Sequence, residues 1–219
     1  MKTRNATSAT VSVFGSFVGL AGLEHGIGEV LQGNVAPAGT VFPSWPGSAF
    51  FRSVAGEPAM TLVPNLLASG ILSILVSLVF LVWAVAFPHR KHSGLVLVLL
   101  SIVLLLVGGG FGPPLLGIVT GVTATRVRPR VGGSHLPAGL RHALGALWPW
   151  FFAAGIAAWL LVMPGTMLLD HVFGLRDLEA LVPVFVLIAF GTLALAIVTG
   201  LARDRRAGQA DAPTAQAGS

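Results

Sequence analysis

The sequence predicts an all-α protein, a polytopic transmembrane bundle of about six helices with a short third and fourth broken by glycine and proline. Three observations predict it. Of the 219 residues, 54% are hydrophobic and only 10% charged, where a soluble domain carries roughly 25% charged residues. Five apolar blocks, at 11–32, 61–87, 94–125, 147–169 and 180–201, approach or exceed the ~20 residues that cross a bilayer as helix. The basic residues are grouped between alternate blocks, as the positive-inside rule requires. A pI of about 11.4 therefore marks a cytoplasmic face and does not point to nucleic acid.

The first block, 11–32, follows Lys2 and Arg4. It resembles a signal peptide, but no small-x-small cleavage site precedes Glu24 and the apolar stretch is long, so an uncleaved first helix is expected. Gly15, Gly19, Gly22 and Gly26 recur along it. At 100° per residue they share a stripe about 60° wide, the pattern of a close helix–helix seam. Glu29 falls at the edge of that stripe, His25 about 40° beyond it, and Glu24 on nearly the opposite side.

The loop 33–60 is rich in proline and glycine and carries Trp45, Phe50, Phe51, Arg52 and Glu57. It is expected outside the cell and is long enough to fold over the bundle, as functional loops of this length do. The second block, 61–87, carries Asn65 one turn in, then Ser69, Ser73 and Ser77 at i+4 spacing, and ends before "PHRKHS".

The third block has basic residues at both ends, Arg90 and Lys91 before it and "RVRPR" after it. It must cross an even number of times if both ends are cytoplasmic. "GGGFGPP", comprising Gly108, Gly109, Gly110, Gly112, Pro113 and Pro114 around Phe111, breaks any helix. The block is read as a hairpin of arms 94–108 and 113–125. One long kinked helix would strand four arginines on the wrong side.

"LPAGLRHALGALW" aligns Leu136, Leu140, Leu144 and Leu147 and is expected as an interfacial helix feeding the span 147–169. The five tryptophans are expected at the interfaces. The last span, 180–201, closes a single transmembrane domain, 1–202. The tail 203–219 follows, cytoplasmic, with a disordered composition in "AGQADAPTAQAGS". Eleven of the thirteen basic residues then lie in the cytoplasm with both termini, leaving Arg52 and Arg176 outside. The expected location is the plasma membrane.

Acids inside a membrane span are costly and mark function or a specific partner. Glu24 and His25 lie about 20 Å along the first helix from Val11, in the outer leaflet. Glu29, Asn65, Asp170 and His171 fall at comparable depth. Together these six form the candidate functional cluster, in a polar cavity open to the outside. Glu24, His25, Glu29, Asp170 and His171 are metal-ligating types, but "EHGIGE" has no zinc-motif spacing. Zero cysteines remove disulfides, thiolate metal sites and cysteine nucleophiles. "GGGFG" follows no strand and lacks the Lys-Ser/Thr of a phosphate loop. No serine sits in a nucleophile elbow, and no cofactor motif is evident.

Three functions compete. The first is transport or conduction of a small solute, ion or proton. The second is an accessory subunit whose glycine stripe docks another membrane protein or a second copy. The third is an intramembrane enzyme or metal-site protein using Glu24, His25 and Glu29. The expectation ranks transport first.

Overall fold

The computed structural model describes residues 5–127, 137–174 and 178–210. Lys2, Arg4, Arg128, Arg130, Leu136, Arg176 and the tail beyond Ala210 lie outside the described residues. The chain is mostly helical. Four helices are long and apolar enough to cross a membrane: α1 (Ala6–Gln32), α2 (Leu66–Ala86), α5 (Ala138–Leu160) and the greater part of α7 (Leu178–Ala210). Two shorter apolar helices, α3 (Ser93–Leu106) and α4 (Gly112–Ala124), pack on each other. At 14 and 13 residues each is about 20 Å long, short of a ~30 Å hydrocarbon core.

Helix α1 sits at the centre, against α2, α4, α5 and α7. The glycine stripe explains how so many neighbours fit. A β-carbon on Gly19 would lie 2.7 Å from Cβ of Leu81, and one on Gly26 would lie 2.8 Å from the Gly70 carbonyl. Gly15 and Gly22 face Ala84 and Ser77. The serines of α2 complete the seam from the other side, with Ser73 Oγ donating to the Gly22 carbonyl at 3.1 Å. Phe14, Val18, Phe80, Leu97, Leu104, Leu116, Trp159 and Leu193 form the apolar core around this axis. Leu75, Val79 and Val82 of α2 and Leu187, Leu195 and Val198 of α7 point outward, making apolar faces suited to lipid.

One end of the bundle is tied together by capping. The Asn5 side chain accepts from Ser8 N and donates to the Val127 carbonyl beyond α4. Asp204 of α7 accepts from the free N–H groups of Ala6 and Thr7, at 2.7 and 2.9 Å. Ser12 Oγ donates to the Ala84 carbonyl near the end of α2. The start of α1 and the ends of α2 and α4 therefore share one end of the bundle with the far part of α7.

Four sequence expectations need correction. The segment from Ala138 is continuous with the fifth helix and is not a separate interfacial helix. The span expected at 147–169 instead breaks after Leu160 into a π-turn, Leu161–Gly165, followed by α6 (Thr166–Phe173). Pro164 causes the break: it has no N–H to bond the Leu160 carbonyl, and its ring would strike that oxygen in a regular helix. At the other end, α7 runs on to Ala210, past the point at 202 where the tail was expected to begin. Trp159 is also not at an interface. It is 2% exposed and packs edge-on against Phe190.

Segment 33–60 folds into a small hairpin, β1 (Val41–Pro43) pairing antiparallel with β2 (Pro58–Met60). Its backbone then docks on the turn after α3: Gly108 N donates to the Met60 carbonyl at 2.9 Å, and Leu62 N to that of Leu106. A buried Asp170 on α6 holds the loop from the far side through Arg52, at 2.9 Å.

Candidate functional site

The site is assembled where the loop meets α1. Glu24 and His25 are adjacent on α1, and the β1–β2 hairpin brings Glu57 down to them. His25 Nε2 lies 3.1 Å from Glu57 Oε2, and His25 Nδ1 lies 3.1 Å from Glu24 Oε2. Nδ1 also lies 3.0 Å from the Ala21 carbonyl. A carbonyl only accepts, so Nδ1 carries a hydrogen and the second nitrogen, Nε2, is the one turned to Glu57. The Trp45 indole N–H donates to Glu24 Oε1, and the Trp45 ring stacks on Phe51 with centroids 4.7 Å apart.

Local backbone geometry aims Glu57 inward. Ala55, Gly56 and Glu57 are consecutive residues with φ of 53°, 70° and 55°, a left-handed run unfavourable for the two non-glycines. His25 and Glu57 are both buried. Burial pushes the Glu57 carboxyl up to about 8, with His25 pulling it down and Glu24 adding to the rise. Among the described residues, the ion pairs of Glu24 and Glu57 are with His25 alone.

The turn after α3 closes the site from above. Gly108 and Gly110 have φ of +96° and +74°, and neither has room for a β-carbon. The backbone of Gly108 rests on the Glu29 carboxylate and that of Gly110 on the His25 ring. These glycines serve both the turn and the close approach.

The six candidate residues thus divide. Glu24 and His25 are joined. Glu29 is fully buried but sits apart, against Gly108 and beside Ser69. Asn65 is not inside α2: it is the N-cap, accepting from Ala68 N and donating to Asn34. Asp170 binds Arg52, and His171 is exposed against Phe50. In the sequence, Glu57 and Trp45 stand out only as loop residues. Nothing local in the sequence marks them, although a loop with Trp45, Phe50 and Phe51 needs a surface to pack on.

No family model, curated protein or solved structure matches the chain. The site must be read from its own geometry.

Beside the cluster lies a cavity of about 360 Å³ between α1, the start of α4, the π-turn and α7. Phe111, Trp159, Val162, Val182, Val186 and Phe190 are among its walls, and among the described residues His25 and Glu57 supply its ionisable side chains. A small-molecule site has this character, apolar walls with a few placed polar groups in a volume of roughly 300–1,000 Å³.

Proposed function

We propose that the protein is a six-span plasma-membrane carrier for a small solute. The solute enters the cavity from the outer leaflet, sets its apolar body against Trp159, Val186 and Phe190, and presents one polar or cationic group to His25 and Glu57. The cavity carries this reading: its walls are apolar and its ionisable groups stand together. The orientation rests on the grouping of the basic residues, which supports cytoplasmic termini and an outer 33–60 hairpin by the positive-inside rule. With that sidedness, the hairpin and its Arg52–Asp170 tie act as the outer cover of the solute.

Two competing readings lose support. The glycine stripe proposed to dock another membrane protein is filled by α2 of the same chain. An acid–base enzyme built on Glu24, His25 and Glu29 has its third member turned to Gly108, away from the cavity walls.

The test uses a brominated short-chain alcohol, which has an apolar body and one polar group. Added to the reconstituted protein, it should quench the Trp159 component of the fluorescence, defined by difference from Trp159→Phe. Val186→Trp, which fills the cavity, should make that component insensitive and stop uptake of the alcohol's labelled analogues into proteoliposomes. Equal quenching in wild type and Val186→Trp would defeat the proposal.

A further inference from the structure

We propose that Glu24, His25 and Glu57 form a binding site for one divalent transition-metal ion, with zinc as the type case. The inference is independent of what fills the cavity, since it stands on the three side chains themselves. Each offers one ligand atom, and the three atoms lie within 4.8 Å of one another. Zinc bound at about 2.0–2.2 Å to nitrogen and oxygen keeps its ligand atoms about 3.4 Å apart. The 3.1 Å separation of Nε2 and Glu57 Oε2 is close to that, and Glu24, whose Oε2 now lies 3.1 Å from Nδ1, would turn from that nitrogen to complete the set.

Four features favour a metal over a plain ion-pair cluster. The ring is oriented as metal-bound histidines are, with Nδ1–H donating to a backbone carbonyl, that of Ala21, so that Nε2 is left to ligate. Glu24 is likewise held from behind by the Trp45 indole. Two carboxylates and one imidazole converge in a largely buried place, and Arg52, the basic side chain of the same loop, is committed to Asp170. Finally, the cavity opens directly on His25 and Glu57, leaving room for water or a ligand at a fourth position, the hallmark of an exchangeable zinc site. Without metal, a proton between Nε2 and Glu57 satisfies both; the ion would displace it, so binding releases protons. One imidazole with two carboxylates suits zinc, manganese or iron better than calcium or magnesium.

The full chain, purified in detergent and stripped by chelator, should take up one equivalent of zinc in competition with a chromophoric chelator. X-ray absorption at the zinc edge should report one imidazole among oxygen donors. Glu57→Gln, a change in the loop, should weaken binding by at least about tenfold, the least expected from losing a ligand when outer-shell partners alone are worth 10–100-fold. Glu24→Gln should do the same. Absence of stoichiometric zinc in wild type would overturn the site, as would a spectrum without imidazole or undiminished binding in both variants. Should either variant fail to fold, the wild-type stoichiometry and spectrum decide alone. Val186→Trp should still bind zinc, which separates this site from the carrier reading.

Discussion

The backbone of Gly110 lies directly on the imidazole of His25, close enough that a β-carbon would overlap the ring. Its φ of +74° also disfavours any other residue. Gly110→Ala should therefore destabilise the protein by about 1–3 kcal/mol, the usual cost of overpacking. Gly112, with nothing within 4 Å of a built β-carbon, should accept alanine with little change. Thermal unfolding of both variants in the same detergent makes the comparison.

The α1–α2 seam should reject bulk. Gly22→Leu would collide with Ser77 and Leu104, and should lower folded yield sharply. Gly28 faces away from that stripe, and helix geometry alone makes it a tolerant position. The tertiary structure reverses this: a β-carbon there meets the Ser44 carbonyl at 2.5 Å and the Trp45 ring at 2.8 Å. Gly28→Leu should therefore also fail, by displacing the loop, while Gly191→Leu, with nothing within 4 Å, should express normally. Size-exclusion profiles of the three variants would show it.

Asp204 is expected to anchor the start of α1. It caps two free N–H groups of that helix, and loss of a cap costs about 0.5–2 kcal/mol. Asp204→Ala should lower the unfolding temperature, with Asp204→Asn intermediate, because an amide retains one acceptor oxygen. An unchanged temperature in both would show that the contact contributes nothing.

Stability should fall as pH rises through the range set by Glu57. Its carboxyl moves from 4.5 to about 8 on folding because burial disfavours the charge, with His25 and Glu24 the ionisable groups facing it. Between those values the folded state holds a proton that the unfolded chain has released, so each step up in pH favours unfolding. Below about 4.5 the contribution is fully present, and above about 8 it is gone. Glu57→Gln has no such proton and should show a shallower decline over the same window, read as melting temperature against pH.

Sidedness is open to cysteine labelling, with no native cysteine to interfere. Cysteines at Ser48 and Gly174 should react with an impermeant thiol reagent on intact cells, and one at Lys91 should not. Lys91 is exposed whereas its neighbour Ser93 is buried, so protection at Lys91 reports the membrane side. Outside labelling at Lys91 would overturn the proposed orientation.

Much of the architecture was legible in the sequence because membrane helices announce themselves through composition. Apolar length, sparse charge and the break at "GGGFGPP" depend on local chemistry: backbone groups in lipid must bond within their own helix, and glycine and proline interrupt that. The same local logic marked Glu24 and His25, since an ionisable residue in an apolar run is conspicuous wherever it packs. It could not mark Glu57, which stands in an aperiodic loop and gains its place through three left-handed residues, a two-stranded hairpin and the hold of Arg52 on Asp170. Nor could it part Glu29 from His25, four residues apart on one helix; the Asn65 cap of α2, by contrast, is a local signal, an asparagine directly before the apolar run. Helical periodicity fixes the angle at which a side chain leaves its own axis. Which chain segment waits at that angle is decided by long-range packing, and there the tertiary structure alone joined Glu24 and His25 to Glu57.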